Sequence, residues 1–211
     1  ILYRLVGSEM CIRDRFSNEI IKRFCQTANF QNECELEGYA KPDVYLYDRE
    51  IELLSILKKS IENQMADLNK SWNERNSKLV NFSKKEILII ASILEKESCA
   101  NEREKISGVI YNRLKNNMLL QMDSTTIYGL KDFNGNLKKK DLRDSSLYNT
   151  YMHKGLPPGP ISNPSRNSIF AAAQPEEHDY LYFVAKDKCS HEFSTNYDDH
   201  LKAVKKYQLR Q

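Results

Sequence analysis

The longest regular pattern in the chain is an apolar residue every three or four positions: Ile51, Leu54, Leu57, Ile61, Met65, Leu68 and Trp72, with no Gly or Pro among them. That spacing puts all seven on one face of an α-helix, and such a stripe predicts core packing rather than a binding surface. Ser83 followed three residues later by Glu86 has the form of a capping box, in which each side chain satisfies a backbone N–H at a helix start. A second helix is therefore expected from Lys84 to about Ser98. A third is expected from about Asn101 to Asn116, with Ile106, Val109, Ile110 and Leu114 on one face and Asn101 as its N-cap. Between them the chain must bend sharply at Cys99 and Ala100.

After Asn117 the pattern changes to short elements and polar turns, with Gly135 between two asparagines and a proline-rich stretch from Gly155 to Pro164. Strand formers occupy Asn149 to Met152, Tyr180 to Lys186 and His191 to Thr195, the last two separated by a polar turn suited to a hairpin. Helices are expected near Ser165 to Ala173 and from Asp198 to Tyr207. Upstream, Ile20, Ile21 and Phe24 have helical spacing, and Gly38 to Tyr47 reads as a turn feeding a short strand, because Pro42 biases Lys41 away from helix. Helices followed by short strands predict an α+β fold: a helical first half, then short antiparallel strands and C-terminal helices.

With 211 residues and 40% hydrophobic positions, the chain is sized for one large domain with a conventional core. Lys and Arg number 32 against 29 Asp and Glu, a net charge of +3, which argues against a nucleic-acid partner. No apolar run approaches the ~18 residues of a membrane span, and the run from Ile1 to Val6 is broken by Arg4. The five cysteines show no CxxC pair and no His at zinc spacing, so no metal is expected. Cys25 and Cys34 are close enough in sequence for a disulfide, and buried free thiols are the alternative. Met10 to Arg15 spell the translation of a transposon-end sequencing adapter. Residues 1–15 are accordingly read as an artefact, and residues 16–211 as an N-terminally truncated domain of net charge +2 with four cysteines.

The helix from Lys84 to Ser98 is apolar almost all round yet carries two glutamates. Turning about 100° per residue, Glu97 falls between Ile93 and Ile90, whereas Glu95 falls toward a polar seam of Ser92 and Lys96. A carboxyl in apolar surroundings resists ionisation and can donate a proton near neutral pH, as glycoside cleavage requires. The structural alternative is an ion pair of Glu97 with Arg103 or Arg113. Gln121, Asp123 and Thr125 alternate as on a strand end facing a cleft, although Asp123 is equally placed to cap a short helix beginning at Ser124. Tyr148, Tyr151 and Tyr182 suit either a platform for sugar rings or half-buried packing. Gly155 to Pro160 is expected to form a rigid wall of the groove. His191 and His200 read as core histidines more readily than as ligands.

Ala91 to Ser98, Glu102, Arg103, the Asn112–Arg113–Leu114 triplet, Gln121 to Thr125 and Ile127–Tyr128–Gly129 resemble the signature of the endolytic murein (peptidoglycan) transglycosylase family, of YceG-like type. Tyr148 to Tyr151, Gly155 to Pro160, Tyr180 to Val184, and His191, Phe193, Thr195 and His200 continue the resemblance, as does the segment from Leu36 to Tyr45. It implies that Glu97, second in the Glu–Lys–Glu triplet, is the catalytic acid and base. It also implies that Gln121, Asp123, Thr125, Tyr128, Tyr148, Asn149, Tyr151 and Tyr182 bind substrate. The implied reaction cuts the β-1,4 bond from N-acetylmuramic acid to N-acetylglucosamine and leaves 1,6-anhydro ends, with no cofactor. The implied partners are peptidoglycan glycan strands and the wall-synthesis machinery. The implied location is the bacterial inner membrane, with the catalytic part facing the periplasm or exterior and the anchor in missing upstream sequence. Rival readings are an inactive glycan-binding module and a water-using muramidase, for which Asp123 is the candidate second carboxylate.

Overall fold

The computed structural model describes residues 36–46 and 53–209. The adapter segment, the Ile20–Phe24 spacing, the Cys25/Cys34 pair, Tyr47 and Ile51 lie outside them. Helix α1 spans Leu53–Asn73, and Leu57, Ile61 and Leu68 of its apolar stripe are buried. Helix α2 spans Lys84–Glu97 and opens with the expected capping box: the Ser83 N–H donates to Glu86 Oε2 at 2.7 Å, and the Glu86 N–H donates to Ser83 Oγ at 3.3 Å. Residues Ile87 to Leu94 are all buried, so α2 is the centre of the core rather than one of its walls. It packs chiefly on α5 (Arg166–Ala173), whose Ala171, Ala172 and Ala173 are fully buried and keep the two helices close.

Ser92, assigned above to a polar seam, is buried. Its hydroxyl donates to the Ile89 carbonyl and accepts the Ile161 N–H at 3.0 Å, tying the proline-rich segment to α2. Gln64 works similarly from α1, donating to the carbonyls of Gly38 and Pro164. Gly38 makes its turn at φ 84°, but no strand follows: residues 41–46 are irregular, with Val44 and Leu46 exposed, because no neighbouring strand pairs with them among the described residues.

The chain leaves α2 at Ser98 in extended geometry and forms a 3₁₀ turn, Ala100–Glu102, before α3 (Arg103–Lys115). Asn101 lies within that turn and is not the N-cap; Glu102 holds the cap position without a side-chain cap bond. Its carboxylate is engaged elsewhere, as described below. Gly108 on α3 leaves no room for a Cβ against the Glu176 carbonyl and His178, and this close approach lets the last turns of α3 seize the following segment. Asn112 donates to the carbonyls of His178 and Tyr180, and Arg113 Nε to that of Leu181 at 2.6 Å.

Helix α4 covers Asp123–Gly129. Asn149 to Met152, expected as a strand, form turns instead. The Asn149 side chain takes over the local backbone groups, accepting the Tyr151 N–H and donating to the carbonyls of Leu142 and Asp144. Strands β1 (Tyr182–Ala185) and β2 (His191–Ser194) form the expected antiparallel hairpin, with Phe183 opposite Phe193 and Ala185 opposite His191. Helix α6 (Tyr197–Tyr207), capped by Asn196, covers it. The described residues are thus α+β, mostly helical, with one two-stranded hairpin. Among the described residues, no helix is long and apolar enough to cross a membrane.

Candidate active site

A cavity of about 470 Å³ opens between the C-terminal end of α2, the start of α4 and the hairpin with α6. Its size falls in the range of small-ligand sites. Glu97, the last residue of α2, lines it. The Glu97 carboxylate accepts the Ser124 N–H, in the first turn of α4, at 3.2 Å. Burial pushes its pKa above the ordinary glutamate value. Ser124 pulls it down, the nearby Asp123 carboxylate raises it again, and His191 acts weakly in the lowering direction. Neither arginine considered as an ion-pair partner engages Glu97. Arg103 approaches Glu95 at 3.7 Å, and Arg113 donates to the carbonyls of Leu119, Leu120 and Leu181.

Glu95, two residues earlier, is no solvent-facing group. One of its oxygens accepts the Ser165 N–H at 2.9 Å, the Ser165 hydroxyl at 2.7 Å and the Ser168 hydroxyl at 2.6 Å. Burial would raise its pKa, but those hydrogen bonds and Arg103 outweigh burial and hold it below the usual value. The two glutamates do face different surroundings, as their helix positions predict. Helix position alone misses what stands opposite Glu95, because α5 packs there from 70 residues away.

Of the residues expected to bind substrate, Gln121, Asp123, Tyr151 and Tyr182 line the cavity with Glu97. Gln121 is exposed there in left-handed backbone at φ 49°, its N–H held by the Thr150 carbonyl at 3.1 Å. Asp123 is neither on a strand nor an N-cap. It is the first residue of α4, with Met122 at the cap, and its Oδ1 accepts the Tyr151 hydroxyl at 2.6 Å. Burial, then Asp123, raises the Tyr151 pKa well above that of a free phenol, so the hydroxyl stays a donor. Tyr182 stacks on His200, ring centroids 5.1 Å apart, and lies under the Arg113 guanidinium.

The other four expected residues are placed away from the cavity. Thr125 is fully buried, its hydroxyl donating to the Met122 carbonyl and meeting Thr150 at 2.8 Å; the helix turns it inward where a strand would have turned it toward the groove. Asn149 is also fully buried and binds backbone and the Thr126 hydroxyl. Tyr128 and Tyr148 pack on each other at 4.7 Å and against the core. The proline-rich Gly155 to Pro158 line a separate shallow depression with Phe82 and Leu114, not this cavity.

Two features had no local signal in the sequence. Cys99, just beyond Glu97, is joined by a disulfide to Cys189 in the hairpin turn, Cα atoms 5.2 Å apart and 90 residues apart in sequence. Glu102 bonds His191 across 89 residues, Oε2 to Nδ1 at 2.7 Å, and so places that histidine on the cavity wall. No cluster of three or more His, Cys, Asp or Glu arranged to hold a metal ion occurs among the described residues.

The profile of the YceG-like family matches residues 8–206. The endolytic murein transglycosylase of Bacillus subtilis (strain 168) is 36% identical over 203 residues, covering 92% of this chain and 55% of that protein. The protein of the same name from Streptococcus pneumoniae (serotype 2, strain D39) is 33% identical over 156 residues, covering 71% of this chain and 28% of the relative. The chain thus spans about half the length of the first relative and less of the second. A crystal structure of a yceG-like protein from Listeria monocytogenes superposes with a TM-score of 0.74 at 33% identity, covering 88% of this chain and 64% of that one. A profile match over nearly the whole chain, and a shared fold at that identity, establish that the chain belongs to the YceG-like family.

Proposed function

We propose that this domain is an endolytic lytic transglycosylase that cleaves peptidoglycan glycan strands, with Glu97 as its acid and base. The observation that carries the reading is a carboxyl with a raised pKa, whose hydrogen-bond donors come from Ser124 alone, set in a cavity lined by polar and aromatic side chains. Such a group is protonated more readily than a surface glutamate and remains available to substrate. The names of the relatives point to the same chemistry.

In the proposed reaction, the Glu97 proton passes to the glycosidic oxygen as the bond from C1 of N-acetylmuramic acid to that oxygen breaks. The carboxylate then takes the proton of the muramic 6-hydroxyl while O6 bonds to C1. The proton returns to Glu97, no water is consumed, and the product ends are 1,6-anhydro sugars. Gln121, Asp123, Tyr151 and Tyr182 supply hydrogen bonds and ring surface for the sugars. Action on peptidoglycan puts the domain outside the cytoplasmic membrane, beside the wall-synthesis machinery.

A second reading has its own observation: Asp123 lines the same cavity, and two carboxylates across a glycosidic bond are what a water-using muramidase needs. Digestion of purified peptidoglycan in heavy-oxygen water separates the readings. Unlabelled 1,6-anhydromuramic ends are the expected result. Labelled reducing ends would establish the muramidase, and no cleavage at all would leave a glycan-binding module.

A further inference from the structure

His191 opens β2 and faces the cavity that holds Glu97. Glu102 clamps it at two points: Oε1 accepts the His191 backbone N–H at 3.3 Å, and Oε2 stands 2.7 Å from Nδ1. A carboxylate against Nδ1 is served by a proton on that nitrogen, and in that tautomer of the neutral imidazole Nε2 is an acceptor. Phe183 and Phe193 meet the ring edge-on at centroid distances of 5.3 and 6.2 Å and restrict its rotation. No described residue donates to Nε2. His191 and Glu97 line the same cavity.

A purely structural role for the pair is redundant. The Cys99–Cys189 disulfide already ties the segment after α2 to the hairpin turn, and Asn112 and Arg113 already anchor the chain leading into β1. With Glu102 on Nδ1, Nε2 is the ring nitrogen left for a ligand in the cavity that His191 lines, and as an acceptor it suits a hydroxyl. We propose that His191 is a second substrate-contacting residue of this site, its Nε2 accepting a hydrogen bond from a sugar hydroxyl beside Glu97, with Glu102 as the positioning residue. The inference rests on the glycan-cleaving reading given above.

Two isosteres divide the imidazole between them. His191→Asn keeps a donor where Nδ1 meets Glu102 but presents nothing at the Nε2 position; His191→Gln reaches the Nε2 position but loses the Glu102 bond. With solubilised glycan strands as substrate, His191→Asn is expected to lose about 10²-fold in kcat/KM at an unchanged melting temperature. His191→Gln should retain more activity than His191→Asn. A structural pair would give the reverse order, and His191→Asn with the kcat and KM of the parent protein, or less impaired than His191→Gln, overturns the inference.

If His191→Asn does not fold, the Nε2 nitrogen resonance is followed instead in the Glu97→Gln protein, which should bind strands without cutting them. A shift on adding strands supports the contact, and an unmoved resonance overturns it. The same Glu97→Gln protein separates the two levels of the argument. If the parent protein cleaves nothing, the glycan-cleaving reading falls and the inference with it; if the variant cleaves at the parent rate, Glu97 is not the acid and base, and the inference falls with that assignment. If it is inactive while His191→Asn is unimpaired, only the inference falls.

Discussion

Glu95 and Glu97 stand two residues apart on one helix, and each meets the beginning of another helix, yet the two neighbourhoods are built to opposite ends. At Glu95, the N-cap Ser165 and the first-turn Ser168 of α5 offer three donors to a single oxygen, and Arg103 adds a positive charge. At Glu97, α4 offers Ser124 alone, and its first residue, Asp123, brings a negative charge. Both carboxyls lose water, but only at Glu95 do the donors outweigh that loss and lower the pKa. Burial alone therefore does not set the direction of a carboxyl's pKa; burial with few donors raises it, and burial with many lowers it.

The harshest test of this contrast is removal of each proton in turn. Glu97→Gln keeps size and the Ser124 contact but cannot donate to a leaving oxygen or accept from a hydroxyl, so cleavage should fall by about 10⁴-fold in a turnover assay, with the circular dichroism spectrum unchanged. Comparable losses for Glu97→Gln and Glu95→Gln would collapse the distinction between them.

Reducing the Cys99–Cys189 disulfide, or replacing both cysteines by Ser, loosens the chain immediately after Glu97 and leaves the Glu95 side untouched. Closure across 90 residues is expected to contribute about 2–4 kcal/mol, read as a lower denaturant midpoint under reducing conditions. An unchanged midpoint would mean that the hairpin is held to α2 by its other contacts alone.

Glu95→Gln should be the mirror image of Glu97→Gln: little change in turnover per folded molecule, but about 2 kcal/mol less stability at neutral pH, or roughly 4–8 °C in Tm. Because the Glu95 pKa is lowered, its contribution is present above the unfolded-state value and is lost as pH falls through the folded one. The Tm gap between the two proteins should close in acid. A gap that widens in acid would contradict the hydrogen-bonded carboxylate.

The repeating apolar positions and the Ser83/Glu86 box were enough to read α1 and α2, and the helix face was enough to set the surroundings of Glu97 apart from those of Glu95, because these depend on residues within a turn or two of one another. The polar turn between Tyr180–Lys186 and His191–Thr195 likewise announced the hairpin. What was not legible depends on distant chain. Thr125 and Asn149 carry side chains suited to sugars, but their groups are consumed by Met122, Thr150, Thr126 and local backbone. Asn149 to Met152 have strand propensity but no partner strand among the described residues, so the Asn149 side chain closes turns instead. The serines facing Glu95, the Glu102 clamp on His191 and the Cys99–Cys189 bond join residues 70 to 90 positions apart, and no spacing rule reaches that far.

The contrast at the heart of this account is one of proton affinity, and it can be measured directly by following the side-chain carboxyl carbons of Glu95 and Glu97 by NMR through a pH titration, each signal assigned by its loss in the Gln variant. Glu97 should titrate above the ordinary glutamate value of about 4.3 and Glu95 below it. Stability contributed by protonated Glu97 would then be present in acid and lost as pH rises through its raised pKa, opposite in sign to Glu95. Glu97 titrating at or below Glu95 would contradict the account.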